Sequence, residues 1–192
     1  MAQPSQGGCR WRQATRAFSA LALLQLAAAV PAAHATVFYS RDEALKLAFP
    51  DADRTEARDF FLTPEQRSDI EHRAKAPLDT NLITVYVGYR GDNVLGYAIL
   101  DTHVVRTLPE TFLVVLTPAG AVAATHVLAF YEPMEYSPGD RWLQQFAGNR
   151  LEDDLDLGRG IAAITGSTLT SRAVTNGIRR ALAIHTVLLG GH

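Results

Sequence analysis

The chain has 192 residues, a length that suits one domain with small additions. Hydrophobic residues make up 47% and charged residues 20%, which excludes a disordered chain and supplies apolar material for a core. The formal net charge is -2, so composition points away from nucleic acid as a partner.

The first 35 residues are of a different kind. "MAQPSQGGCRWRQATR" carries three arginines and no acid, residues 17–33 form a short apolar run, and Ala33 and Ala35 frame an A-x-A site. This is the layout of a secretory signal peptide, expected over 1–35 with cleavage near Ala35 and a periplasmic or exported location. The run contains Gln25 and Pro31 and is short for a membrane span; the alternative is an uncleaved N-terminal membrane anchor. Trp11 separates Arg10 from Arg12, so the pattern favours Sec over twin-arginine export. Cleavage would leave 15 basic and 20 acidic residues and remove Cys9, the only cysteine. The exported chain would then fold without a disulfide and carry no thiolate.

Residues 36–80 are expected to form a helical segment. Ser40 with Glu43 three residues on is a capping box, and Pro50 ends that helix. Thr63, Pro64 and Gln66 repeat the device for a second, mostly polar helix expected on the surface. The middle of the chain is strand-like. "LITVYVGY" (82–89) and "VLGYAILDTHVV" (94–105) flank the turn "RGDN". "TFLVVLTPAGAVAATHVLAFY" divides at Pro118-Ala119-Gly120 into two more strands. Short turns between them imply an antiparallel sheet of about four or more strands. "DRWLQQFAGN" reads as a short helix capped by Asp140 and stopped at Gly148, and "LEDDLDLGRG" as an acidic, solvated connector. In the last helix Val174, Ile178, Ala181, Leu182, His185 and Leu189 share one stripe, while Arg172, Asn176, Arg179 and Arg180 fall elsewhere. The predicted fold class is α+β, an antiparallel sheet flanked by helices.

Ahead of that helix lies "TGSTLTS", residues 165–171. Thr165, Ser167, Thr168, Thr170 and Ser171 place five hydroxyls in seven residues, with Gly166 among them. Thr170 or Ser171 suits a helix cap, but a cap needs only one or two hydroxyls. Gly166 is free to turn sharply or approach a ligand closely. Free N–H groups and the helix dipole favour an anion at such a place, so a capped helix start and a phosphate site are both open readings.

This segment resembles the S-G-A-T-x-T-S motif of the FMN-binding domain, found in flavin-carrying subunits of Rnf and sodium-translocating NADH:quinone oxidoreductase complexes and in related exported flavoproteins. The resemblance spans roughly Leu82 to Leu189, and 81–192 is expected to be the FMN-binding domain. Only TGSTLTS is specific; Glu132-Pro133 and "RWLQQF" (141–146) are weaker likenesses. In the family, the threonine closing S-G-A-T carries FMN through a phosphoester installed from FAD by a flavin transferase. The matching residue is Thr168, with Thr165, Gly166 and Ser167 before it and Leu169, Thr170 and Ser171 after it. Two positions depart from the family: Ala162 stands where it usually has Asp, and Ser167 where it has Ala.

The resemblance implies FMN as cofactor, a flavin transferase for maturation, and a membrane redox protein or quinone as electron partner. The expected function is an exported electron carrier with covalently attached flavin. The alternative is a non-covalent FMN-binding or assembly module of a membrane redox complex, and a third reading is a flavin-dependent reductase of a small molecule. Tyr131, Tyr136 and Trp142 are expected either to pack on the flavin or to fill the end of the sheet. His72, His103, His126 and His185 lack metal-site spacing, and no G-x-S-x-G is present. His126 and His185 are read as structural, and no catalytic acid–base set is apparent.

Overall fold

The structure, a computed structural model, describes residues 36–105 and 107–190. The expected signal segment lies outside them. Six strands form one sheet: β1 (Thr36–Val37), β2 (Arg54–Phe61), β3 (Leu82–Arg90), β4 (Asn93–Val104), β5 (Pro109–Leu116) and β6 (Val122–Phe130). The order is β1-β6-β5-β4-β3-β2, and every neighbouring pair is antiparallel. The helices are α1 (Arg41–Ala48), α2 (Pro64–Ala74), α3 (Asp140–Leu143) and α4 (Thr168–Leu188). The architecture is α+β, as expected.

The four central strands fall where the β-branched runs lie. β5 is buried along both faces, which accounts for the unbroken apolar run "FLVVL". Phe112, Val114 and Leu116 point to the face covered by α2 and α4, while Leu113 and Val115 meet Ala44 and Phe49 at α1 on the other. Helices therefore cover both faces of the sheet, with the larger core beneath α4.

Both expected capping boxes form. The Ser40 and Thr63 side chains accept from the Glu43 and Gln66 N–H groups, and those side chains accept in return from the cap backbone. α2 is not purely a surface helix: Ile70 and Ala74 are fully buried in the main core. At α3 the cap is Gly139, and Asp140 sits inside the first turn.

Segment 36–80 supplies two helices and, in addition, two strands. β2 pairs with β3 over all eight of its residues. Its sequence RTEARDFF shows no apolar alternation because both its faces are largely exposed; its charged side chains suit a protected sheet edge. β1 is only two residues long and borders β6. No helix among the described residues is long and apolar enough to cross a membrane.

α4 is buried far beyond its apolar stripe. Arg179 and Arg180 are buried as well, because the sheet lies on one side and α2 on another. Ile178 is almost fully buried in this core, where close packing makes the loss of side-chain atoms costly. Ile178→Ala is expected to lower unfolding stability by about 2–5 kcal/mol, read as a reduced urea midpoint at unchanged slope. Phe61→Ala, at a side chain 79% exposed, is expected to stay within about 0.5 kcal/mol of wild type in the same titration.

Candidate functional site

The hydroxyl-rich segment divides into side chains that build the turn and side chains left at the surface. Gly166 has φ +79°, a left-handed conformation that a side chain would strain, and it turns the chain into α4. The helix begins at Thr168, earlier than a cap at Thr170 or Ser171 would allow; both of those residues lie buried in its first turn. Ser167 occupies the cap position but does not cap. Its hydroxyl donates to the Tyr136 carbonyl at 2.8 Å. The Ser171 hydroxyl donates to the Ser167 carbonyl at 2.9 Å and accepts from the Ile164 N–H at 3.0 Å, pinning the incoming loop to the helix.

Thr165 and Thr168 remain exposed, and Leu169 is 45% exposed beside them. The first N–H groups of an α-helix have no carbonyl within the helix to bond. In α1 and α2 a side chain takes one of them; in α4 no side chain among the described residues does. A 21-residue helix thus presents uncapped N–H groups and its positive dipole end next to an exposed threonine hydroxyl.

The supporting segments meet at Ala162. Its carbonyl accepts from the Trp142 indole N–H at 2.5 Å, and its N–H donates to Gln145 Oε1 at 2.9 Å. Trp142 also lies edge-on to Phe146, with ring centroids 5.2 Å apart. Trp142 therefore braces the loop before the helix and packs against the main core. The Ala162 side chain itself is exposed. Past the loop Met134–Pro138 runs a groove of about 650 Å³ between Phe38, Tyr39 and Leu47 on one side and Met134, Pro138 and Leu143 on the other. Its volume is in the ordinary range for small-ligand sites, about 300–1,000 Å³. His126 lines it, and burial lowers the pKa of that imidazole. Thr125 Oγ1 in the same wall is buried with no hydrogen-bond partner among the described residues.

These features define a protein suited to a phosphorylated, partly apolar ligand: uncapped N–H groups and free hydroxyls for the phosphate, exposed apolar side chains nearby for a ring system. The family model of the FMN-binding domain matches residues 81–183, and the chain belongs to that family. Its cofactor is FMN. Among solved structures the chain is similar to NqrC of Shewanella oneidensis, at 14% sequence identity and a TM-score of 0.48. The likeness covers 73% of this chain and 82% of that one. No curated protein matches the chain.

A second constellation lies beneath α4, and motif reading passes over it. Asp101 and His103 are two apart on β4, so both face the helix; Glu110 is opposite His103 on β5. His103 Nδ1 is 2.6 Å from Asp101 Oδ2 and its Nε2 is 2.8 Å from Glu110 Oε1. Arg180 Nε and Nη2 donate to the two Asp101 oxygens at 2.9 and 2.7 Å. Gly177 permits this approach: a Cβ there would stand 2.5 Å from Asp101 Oδ2. The D-x-H spacing on a strand was the available signal, but its partners come from β5 and α4. His185, by contrast, is a core histidine edge-on to Tyr97, with its pKa lowered by burial. Among the described residues no group of three or more His, Cys, Asp or Glu is arranged to hold a metal ion. In the acidic connector Glu152, Asp153 and Asp154 are solvated, but Leu155 is buried, Leu151 and Leu157 pack against the main core, and Asp156 pairs with Arg179 and Arg159.

Burial opposes the charged form of His103 most strongly, yet its hydrogen bonds to Asp101 and Glu110 outweigh burial and push the pKa from 6.5 up to about 9. Burial likewise opposes ionisation of Asp101, but His103 and Arg180 hold its carboxyl below the usual value. For His103 the folded pKa lies above the unfolded one. Its contribution is therefore complete below about 6.5 and lost as pH rises through about 9. The urea midpoint of the wild type is expected to fall across that window. In His103→Gln it is expected to be lower at the outset and to change less over the same range.

Proposed function

We propose that this protein is an exported electron carrier whose FMN is joined through its phosphate to the Thr168 hydroxyl. The observation that carries this reading is the start of α4: an exposed threonine at the first helical position, with uncapped N–H groups beside it. In the attachment reaction the Thr168 oxygen would displace AMP from FAD, forming one P–O bond as another breaks, and the hydroxyl proton would pass to a base. The resulting phosphodiester keeps one negative charge. The helix dipole stabilises such a charge by roughly 0.3–1 kcal/mol, and the backbone N–H groups of the first turn can bond its oxygens.

Bound FMN would supply the ability to accept and pass on electrons. The protein's own part is to hold the phosphate at the helix start, with Gly166 forming the turn and Ser167 and Ser171 fixing it. Leu169, Tyr136 and Met134 offer apolar surface for the ring system. A tether suits an exported protein, since a dissociated flavin would be lost to the surroundings. Export itself rests on the basic, apolar and A-x-A pattern of residues 1–35. The partners proposed are a flavin transferase for maturation and a membrane redox protein or quinone for electrons.

Ala162 favours a second reading, in which FMN is bound without the covalent bond, because the acid common to the family's modification motif is absent. The side chain at that position points to solvent and the backbone there is held by Trp142 and Gln145, so an aspartate can be introduced without a clash. Coexpression with a flavin transferase, followed by intact-mass measurement, is expected to show a gain of one FMN less one water. Thr168→Ala is expected to abolish the gain, and Ala162→Asp to raise the modified fraction. An unmodified wild-type mass, with no flavin fluorescence in a denaturing gel, would exclude the covalent bond.

A further inference from the structure

Glu110 is fully buried, and its Oε2 has no hydrogen-bond partner among the described residues. A buried carboxylate oxygen without a donor is costly, so its presence in an ion pair asks for an explanation. Here one oxygen bonds His103 and the other is left over. The remaining charges are matched: Arg180 faces Asp101, and the His103 imidazolium bridges Asp101 and Glu110. The vacant oxygen is thus the place in this network where a proton can be added without breaking a hydrogen bond.

The network also reaches toward the helix start. Val105 lies two residues beyond His103, just past the end of β4. Together with Glu132, Tyr136, Ser167, Leu169 and Thr170 it lines a small cavity under the first turn of α4. Glu132 is buried there, and its charge acts on Glu110. Among the described residues the charged groups around Glu110 are His103 and Asp101 from β4, Glu132 from the segment after β6, and Arg180 of α4 behind Asp101. Burial, the largest influence, holds the Glu110 carboxyl above its ordinary value despite the pull of His103.

We propose that Glu110 takes up a proton when the flavin held at the start of α4 is reduced. This rests on the attachment reading above. Electrons delivered by a protein or quinol donor stay on the cofactor and add negative charge at that end of the molecule. One proton from water adds to Glu110 Oε2, turning carboxylate into carboxyl, and no bond in the protein breaks. At an effective dielectric near 20, a unit charge placed about 10 Å from a buried carboxyl would shift it by roughly one pH unit, a tenfold change in its protonation equilibrium. Glu110 is a charge-compensating group rather than a catalytic residue, since nothing places it against the reacting atoms.

The test uses the full chain carrying FMN, reduced at an electrode in lightly buffered neutral solution with an indicator dye. Glu110→Gln keeps an acceptor for His103 and is expected to take up fewer protons per flavin, by a deficit of up to about one. Equal counts at equal flavin content would overturn the proposal. In wild type labelled with ¹³C-glutamate, the reduced-minus-oxidised infrared spectrum is expected to gain a label-sensitive band of a protonated carboxyl; its absence would overturn the proposal even if the variant fails to fold. In flavin-free Thr168→Ala, the Glu110 carboxyl carbon is expected to titrate above the ordinary glutamate range. A carboxyl that titrates as an ordinary glutamate overturns the proposal without reference to flavin. Lack of flavin in the wild type is a different failure, that of the attachment reading, and this last titration then decides the matter by itself.

Discussion

The buried ion pair between Arg180 and Asp101 sets the place of everything that matters in this fold. A carboxylate and a guanidinium joined by two hydrogen bonds specify direction as well as distance. They fix α4 against β4 in rotation and in register, and Gly177 lets the helix lie close enough for it to happen. Such a pair is expensive to desolvate, and removing one partner typically costs about 3–5 kcal/mol. Apolar packing alone would hold the helix on the sheet, but many rotations about its axis would bury similar area. The pair selects one of them, and with it the direction in which Thr168 leaves the helix start.

That selection links stability to chemistry. The same Asp101 that receives Arg180 also receives His103, which in turn reaches Glu110. A structural anchor at one end of the network is thus continuous with a proton-accepting oxygen at the other. The helix start is secured separately, by Ser167 on Tyr136, Ser171 on Ile164, and Trp142 on Ala162. These bonds engage the Ser167 and Ser171 hydroxyls, and they leave the Thr168 hydroxyl exposed.

Much of the fold was legible in the residue pattern. Where the signal was local, as in the Ser40 and Thr63 capping boxes or the β-branched runs of β3 to β6, expectation and structure agree closely. β2 was not legible, because an edge strand exposed on both faces has no apolar period to read. The buried arginines of α4 were missed for a related reason. Charge suggests solvent, and only the acceptors Asp101, Asp156 and the Ala74 carbonyl, brought from elsewhere in the chain, make their burial tolerable.

The sequence by itself determined the family, the cofactor class and the stretch 165–171 as the place to look, since a motif of hydroxyls and one glycine before a helix is written in consecutive residues. It also determined which segments could be helix or strand, through side-chain period and capping chemistry. The tertiary structure decided which of the five hydroxyls are spent on the turn and which stay exposed, because a hydroxyl bonds whichever acceptor lies within reach, and for Ser167 that acceptor is the carbonyl of Tyr136. It decided, too, that Asp101, His103, Glu110 and Arg180 form one network. Their contacts cross between two strands and a helix, and no spacing along the chain encodes a distance through the core.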